Sequence, residues 1–128
     1  MKEHPRILSA TTIIGDKVVN AEGEQLGNIR DLVIDLDDAQ IAYAVLSFGG
    51  FLGLGDKLFA IPLEALTFSK EAHTVILDVD KEVLKNAPGF DKDRWPDSAH
   101  EVFTLREAGW LLDIYEYYGY SPYWMPDK

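Results

Sequence analysis

The chain has 128 residues, with 12 Lys plus Arg against 22 Asp plus Glu, a formal charge of −10. It contains no cysteine, which excludes disulfides, thiolate nucleophiles and Cys-ligated zinc or iron–sulfur centres. With 47% apolar and 27% charged residues it has the composition of one globular domain, and its negative balance argues against nonspecific binding to phosphate backbones.

The opening Met1-Lys2-Glu3-His4-Pro5-Arg6 leads into few apolar residues before Gly15-Asp16-Lys17. No export-signal core follows, so a cytoplasmic location is expected. Thr11-Thr12-Ile13-Ile14 meets a Gly15-Asp16 turn and then Lys17-Val18-Val19-Asn20, which runs to a second turn at Glu22-Gly23-Glu24. These read as two hairpin arms. Gln25 to Leu36 and Gln40 to Phe48 are the longest predicted strands, joined tightly through Asp37-Asp38-Ala39. Both carry adjacent apolar residues, so both faces are expected to be covered. The uncharged run Ala39 to Gly55 has 17 residues and ends among glycines 49, 50, 53 and 55. It reads as a buried strand with its hairpin and not as a membrane span, which takes about 20 residues. Lys57 to Ile61 follows, closed by Pro62; Thr74 to Val79 is the last predicted strand. Asp80 is placed to cap a short helix through Lys85, ended by Pro88-Gly89. Turns every eight to twelve positions over Thr11 to Val79 are the pattern of a small antiparallel barrel.

Several of these segments carry a resemblance. Gly15 to Asn20, Glu22 to Ile29, Asp31 to Asp35, Ile41 to Leu46, and the Gly49-to-Lys57 loop leading to Ile61-Pro62 resemble a PRC-barrel domain over residues 8–86. The family is named for the cytoplasmic domain of the photosynthetic reaction-centre H subunit, and a similar barrel occurs in a ribosome-maturation factor. The resemblance implies a mainly β fold, a small and highly bent antiparallel barrel, used for protein association and without catalysis. Family members often have glycine in the turn between the two long strands, where this chain has Ala39. A left-handed conformation there would cost about 1 kcal/mol.

Two features invite a ligand. Gly49-Gly50-Phe51-Leu52-Gly53-Leu54-Gly55-Asp56-Lys57 is glycine-rich, but Asp56 stands where a phosphate loop needs lysine, and no third glycine completes a dinucleotide pattern. Asp35, Asp37 and Asp38 crowd a turn, but a calcium loop would want a ligand at Ala39 and glycine at Gln40. These aspartates read as turn formers that bond nearby backbone N–H groups. His4, His73 and His100 are far apart, and no nucleophile, base and acid can be grouped. No catalytic residue, metal site or cofactor is assigned. A small-ligand or metal-binding regulatory domain using the acidic turn and glycine loop is the alternative reading.

The C-terminal third differs in character. Of the fifteen aromatic residues, ten lie in residues 87–128. Residues 87–97, with Phe90 and Trp95, read as a tether over the barrel surface. Capping boxes at Ser98 to Glu101 and Thr104 to Glu107 precede a predicted helix over about 104–118, with Gly119 as its stop and an extended aromatic tail from Tyr120. Its polar positions Arg106, Gly109, Asp113, Glu116 and Tyr120 form one narrow stripe, leaving more apolar surface than one barrel face is expected to cover. The extension, residues 87–128, has a net charge of −4 and is no platform for nucleic acid. A noncatalytic interaction or assembly module that forms a homodimer and binds an unidentified protein partner is therefore expected. Phe51, Leu54, Trp95, Trp110, Ile114, Tyr117, Tyr118, Tyr123 and Trp124 are the candidate contact residues.

Overall fold

The computed structural model describes residues 7–48, 57–69, 73–87, 90–91 (backbone only) and 109–124. Its elements in chain order are α1 (Ala10–Ile13), β1 (Lys17–Val19), β2 (Gln25–Asp35), β3 (Gln40–Phe48), β4 (Lys57–Ile61), β5 (Leu66–Ser69), β6 (Thr74–Leu77), α2 (Lys81–Lys85), β7 (Phe90–Asp91) and α3 (Gly109–Tyr118). The strands form one seven-stranded sheet in the order β5-β6-β1-β2-β3-β4-β7. All pairings are antiparallel except β1 with β6, which run parallel.

The sheet is strongly curled. Phe59 and Ile61 of β4 share one core with Leu66 of β5 and Val75 and Leu77 of β6, though these strands lie towards opposite ends of the order. Val18, Leu26, Ile29, Ala44 and Leu46 fill the same inner core, and Leu84 of α2 closes it. Buried Asn20 fastens the β1–β2 turn to the chain beyond β6. Its Oδ1 accepts from the N–H groups of Glu22 (3.1 Å) and Glu24 (2.9 Å), and its Nδ2 donates to Glu24 Oε1 (2.7 Å) and the Val79 carbonyl (3.3 Å). With these groups paired, a buried amide specifies the turn at little cost.

Bulges bend the long strands. Arg30 is an extra residue on β2 against the Leu46–Val45 step, and Ala42 is an extra residue on β3 against Val33–Ile34. Such insertions kink a strand and increase its twist, which is what closing a small sheet on itself requires. At Gly27 the curl brings β3 so close that a Cβ would collide with the Ser47 carbonyl oxygen, in a backbone with φ +147°.

Several expectations are corrected. Thr11 to Ile14 is no hairpin arm: residues 10–13 form a helical turn in which Ser9 Oγ accepts the Thr12 N–H at 3.3 Å. The β-branched run favours a strand, but the serine cap and the inner-core position taken by Ile13 decide for the helix. The last expected strand stops at Leu77, where the Val79 N–H turns back onto the Leu77 carbonyl at 2.8 Å. β5 was not foreseen; at four residues it offers too short a run to show an alternation. Asp80 occupies the N-cap of α2, its carbonyl accepting the N–H groups of Val83 (3.0 Å) and Leu84 (3.3 Å), but its side chain makes no capping bond. Ala39 does adopt the left-handed conformation, φ 55°. The glycine-rich loop at 49–56, the Pro88-Gly89 stop and both capping boxes lie outside the described residues.

Two substitutions test this geometry in opposite directions. Gly27→Ala should cost about 2–4 kcal/mol, since Ser47 must move and the backbone is strained. Ala39→Gly should gain about 0.5–1 kcal/mol, the left-handed cost of alanine less the entropy glycine loses on folding. Urea unfolding of the three proteins measures both.

Candidate interaction surface

Alternate residues of β3 and β4 point away from the inner core. Tyr43 and Val45 of β3, with Leu58 and Ala60 of β4, form the floor of a second core on the outer sheet face. α3 covers it. Leu111, Ile114 and Tyr115 are buried there, and Tyr118, half-buried, reaches both cores. The spacing 111, 114, 115, 118 is one stripe of an α-helix, so the monomer buries one side of α3 and leaves Leu112 half-buried and Tyr117 40% exposed.

The bulge in β3 positions the best-defined polar contact. The buried Tyr115 hydroxyl donates to the Ala42 carbonyl at 2.8 Å, so the residue that disturbs the ladder also receives the helix. Gly119, with φ +86°, ends α3 as expected: its N–H reaches the Glu116 carbonyl (3.1 Å) and the Tyr120 N–H reaches Tyr115 (2.9 Å), a Schellman arrangement. The tail beyond is not extended, since Tyr123 and Trp124 form a turn that returns to the sheet. Trp124 is buried edge-on against Tyr115, ring centroids 5.0 Å apart at 78°, and Tyr123 meets Trp124 at 5.1 Å and 86°. The Tyr123 hydroxyl donates to Asp35 Oδ2 at 2.8 Å, while Asp35 Oδ1 accepts the N–H groups of Asp37 and Asp38. Asp35 is thus the turn former expected of it and also an anchor for the tail.

The remaining sequence candidates divide by exposure. Ile114 and Trp124 are buried against the chain's own sheet, and Trp110 is half-buried, edge-on to Tyr43 at 5.5 Å and 81°. Tyr117 faces outward, its hydroxyl donating to the Val83 carbonyl at 2.6 Å and its ring edge-on to Tyr118 at 5.1 Å. Val83 (37%) and Tyr120 (36%) are also exposed. Phe51, Leu54 and Trp95 lie outside the described residues. Tyr43, Ala42 and Val83 had no place among the candidates, and Asp35 entered only through the acidic turn; a bulge and a carbonyl acceptor leave no mark in residue type. Among the described residues no group of three His, Asp or Glu is placed to hold a metal ion. Among them, too, no helix is long and apolar enough to cross a membrane.

The comparisons with known proteins bear on the sheet. The family model for the PRC-barrel domain matches residues 5–84. The chain belongs to the PRC-barrel family. Its match covers strands β1 to β6 and most of α2, while β7, α3 and the aromatic turn lie beyond it. Among solved structures, a 16S ribosomal RNA processing protein, RimM, of Pseudomonas aeruginosa is similar at 20% identity, with a TM-score of 0.41 over 59% of this chain and 45% of that one. The chain thus spans less than half the length of that protein. No curated protein matches the sequence.

Burial raises the pKa of four tyrosines. Tyr43 is pushed up to about 12 by desolvation and then by the charge of Asp31. Tyr115 is raised by desolvation and Glu64, Tyr118 by desolvation and Tyr117, and Tyr123 by desolvation and its bond to Asp35. A folded pKa above the unfolded value of 10 adds stability that is complete below pH 10 and is lost as pH rises through the folded value. The urea midpoint should therefore hold up to about pH 10 and fall steeply above it, and tyrosinate absorbance of the folded protein should lag behind that of the unfolded chain.

The hydroxyls separate two otherwise similar side chains. Tyr115→Phe would remove the buried bond to the Ala42 carbonyl and should cost about 1–2 kcal/mol. The Tyr118 hydroxyl is buried without a hydrogen-bond partner among the described residues. Tyr118→Phe should be neutral or stabilising by up to about 1 kcal/mol, because it removes a desolvated group that gains nothing. Matched urea titrations read the difference.

Proposed function

We propose that the chain is a noncatalytic interaction or assembly module of the cytoplasm that associates with a second copy of itself and with a further protein. The observation that carries this reading is the exposed apolar surface around Tyr117. Its hydroxyl bond to Val83 and its edge contact with Tyr118 hold the ring in place while leaving it 40% exposed, beside exposed Val83. An aromatic ring fixed before association loses little further entropy on binding, and tyrosine and tryptophan are enriched at interfaces. Half-buried Trp110, Leu112 and Tyr123, with Tyr120, belong to the same face of the extension in this proposal. Phe51, Leu54 and Trp95 join it on sequence grounds alone. Ile114, Tyr118 and Trp124 support the surface from beneath by holding α3 and its tail on the sheet.

Light scattering across a hundredfold dilution tests self-association. A dimer should dissociate towards 14.4 kDa as concentration falls, and Tyr117→Ser should weaken it about tenfold or more, equivalent to about 1.4 kcal/mol. A monomer at every concentration would overturn self-association.

A further inference from the structure

We propose that the outer end of the β2–β3 hairpin is a second docking surface, for a protein segment that mixes bulky aliphatic side chains with lysine or arginine. Directly opposed residues of an antiparallel pair point to the same face. Ile34 opposes Ile41, and Ile34 is 58% exposed. Leu36, two residues further and at the start of the turn, is 87% exposed. The other face of the same hairpin is occupied: Val33 and Tyr43 pack in the outer core, and Asp35 takes the Tyr123 hydroxyl. Among the described residues the hairpin is therefore clad on one side by the aromatic tail and uncovered on the other, where Ile34 and Leu36 stand exposed. Ile34 and Leu36, two residues apart on the same side of the chain, form a small exposed aliphatic patch at the tip.

Charge selects the occupant. Asp37 and Asp38 place two carboxylates next to Leu36 at the tip, with Asp35 on the clad side behind them, and among the described residues none of the three is in an ion pair. Asp35 Oδ1 holds the N–H groups of Asp37 (3.0 Å) and Asp38 (3.3 Å), so the tip is ordered. Two copies meeting tip to tip would bring like charges together on a chain already at −10. Anionic membranes and nucleic acids are repelled in the same way. A basic segment gains steering and favourable contacts at the rim, and only one with aliphatic side chains also removes Ile34 and Leu36 from water. This surface is independent of self-association through α3.

The test is amide NMR titration of the full chain with three synthetic peptides of equal length, built from Leu and Lys, Ser and Lys, or Leu and Glu. The Leu–Lys peptide should shift the amides around Ile34, Leu36 and Ile41. Ile34→Ser/Leu36→Ser, both exposed and so compatible with folding, should weaken it about tenfold. Asp37→Asn/Asp38→Asn should weaken it less and flatten its salt dependence. No shifts at the tip, equal binding by the Ile34→Ser/Leu36→Ser protein, or equal binding by the Ser–Lys peptide would overturn the proposal. So would shifts at the tip that depend on protein concentration without peptide, since the occupant would then be a second copy.

Discussion

Strand β3 is buried on both of its faces, and the rest of the molecule is arranged around that constraint. Ala44 and Leu46 enter the inner core while Tyr43 and Val45 enter the outer one, all at or below 2% exposure. Leu58 and Ala60 against Phe59 and Ile61 repeat the division on β4. An antiparallel sheet can leave one face to water; this one cannot, because its outward residues are as apolar as its inward ones. The barrel therefore needs a cover over β3 and β4, and α3 with the Trp124 turn provides it. Removal of that cover would expose the outer core's floor of Tyr43, Val45, Leu58 and Ala60, the kind of contiguous apolar surface that monomeric proteins avoid.

The bulge at Ala42 reconciles two demands on β3. The strand must twist to curl the sheet, and it must offer something polar to an incoming helix. An extra residue does both, since it bends the strand and turns a carbonyl out of the regular ladder. Tyr115 takes that carbonyl. Curvature comes at close quarters elsewhere: on β2 only glycine fits against the Ser47 carbonyl, so β3 meets a missing side chain at one end and carries an added residue at the other.

Much of the barrel is readable in the residues because each of its longer strands alternates or runs continuously apolar between turn signals. The parts that are not readable have specific causes. Thr11 to Ile14 has strand-forming side chains and a helix cap in front of it, and tertiary burial of Ile13 settles the conflict. Leu66 to Ser69 is too short for periodicity to speak. Sequence identifies the broad apolar surface of α3, but a helical pattern cannot say how many neighbours cover it. Among the described residues the sheet takes the stripe through Leu111, Ile114 and Tyr115, while Tyr117 touches α2 only through its hydroxyl and stays 40% exposed.

The aromatic excess of the C-terminal third follows from this cover's double task. A covering helix built from leucine alone would bury as well, but it would have no way to register itself along a floor of apolar side chains. Tyrosine couples apolar bulk to a directional hydroxyl. Tyr115 reads the Ala42 carbonyl, Tyr117 the Val83 carbonyl and Tyr123 the Asp35 carboxylate, three points at separate places on the family domain. Tyr118 is the exception, placed between the two cores with its hydroxyl unsatisfied among the described residues. Its ring bridges both sides of the sheet, and the desolvated oxygen lowers the stability of the docked helix. The cover is thus accurately placed by three hydroxyls and weakened by a fourth, so its adhesion to the barrel is less than its aromatic content alone would suggest.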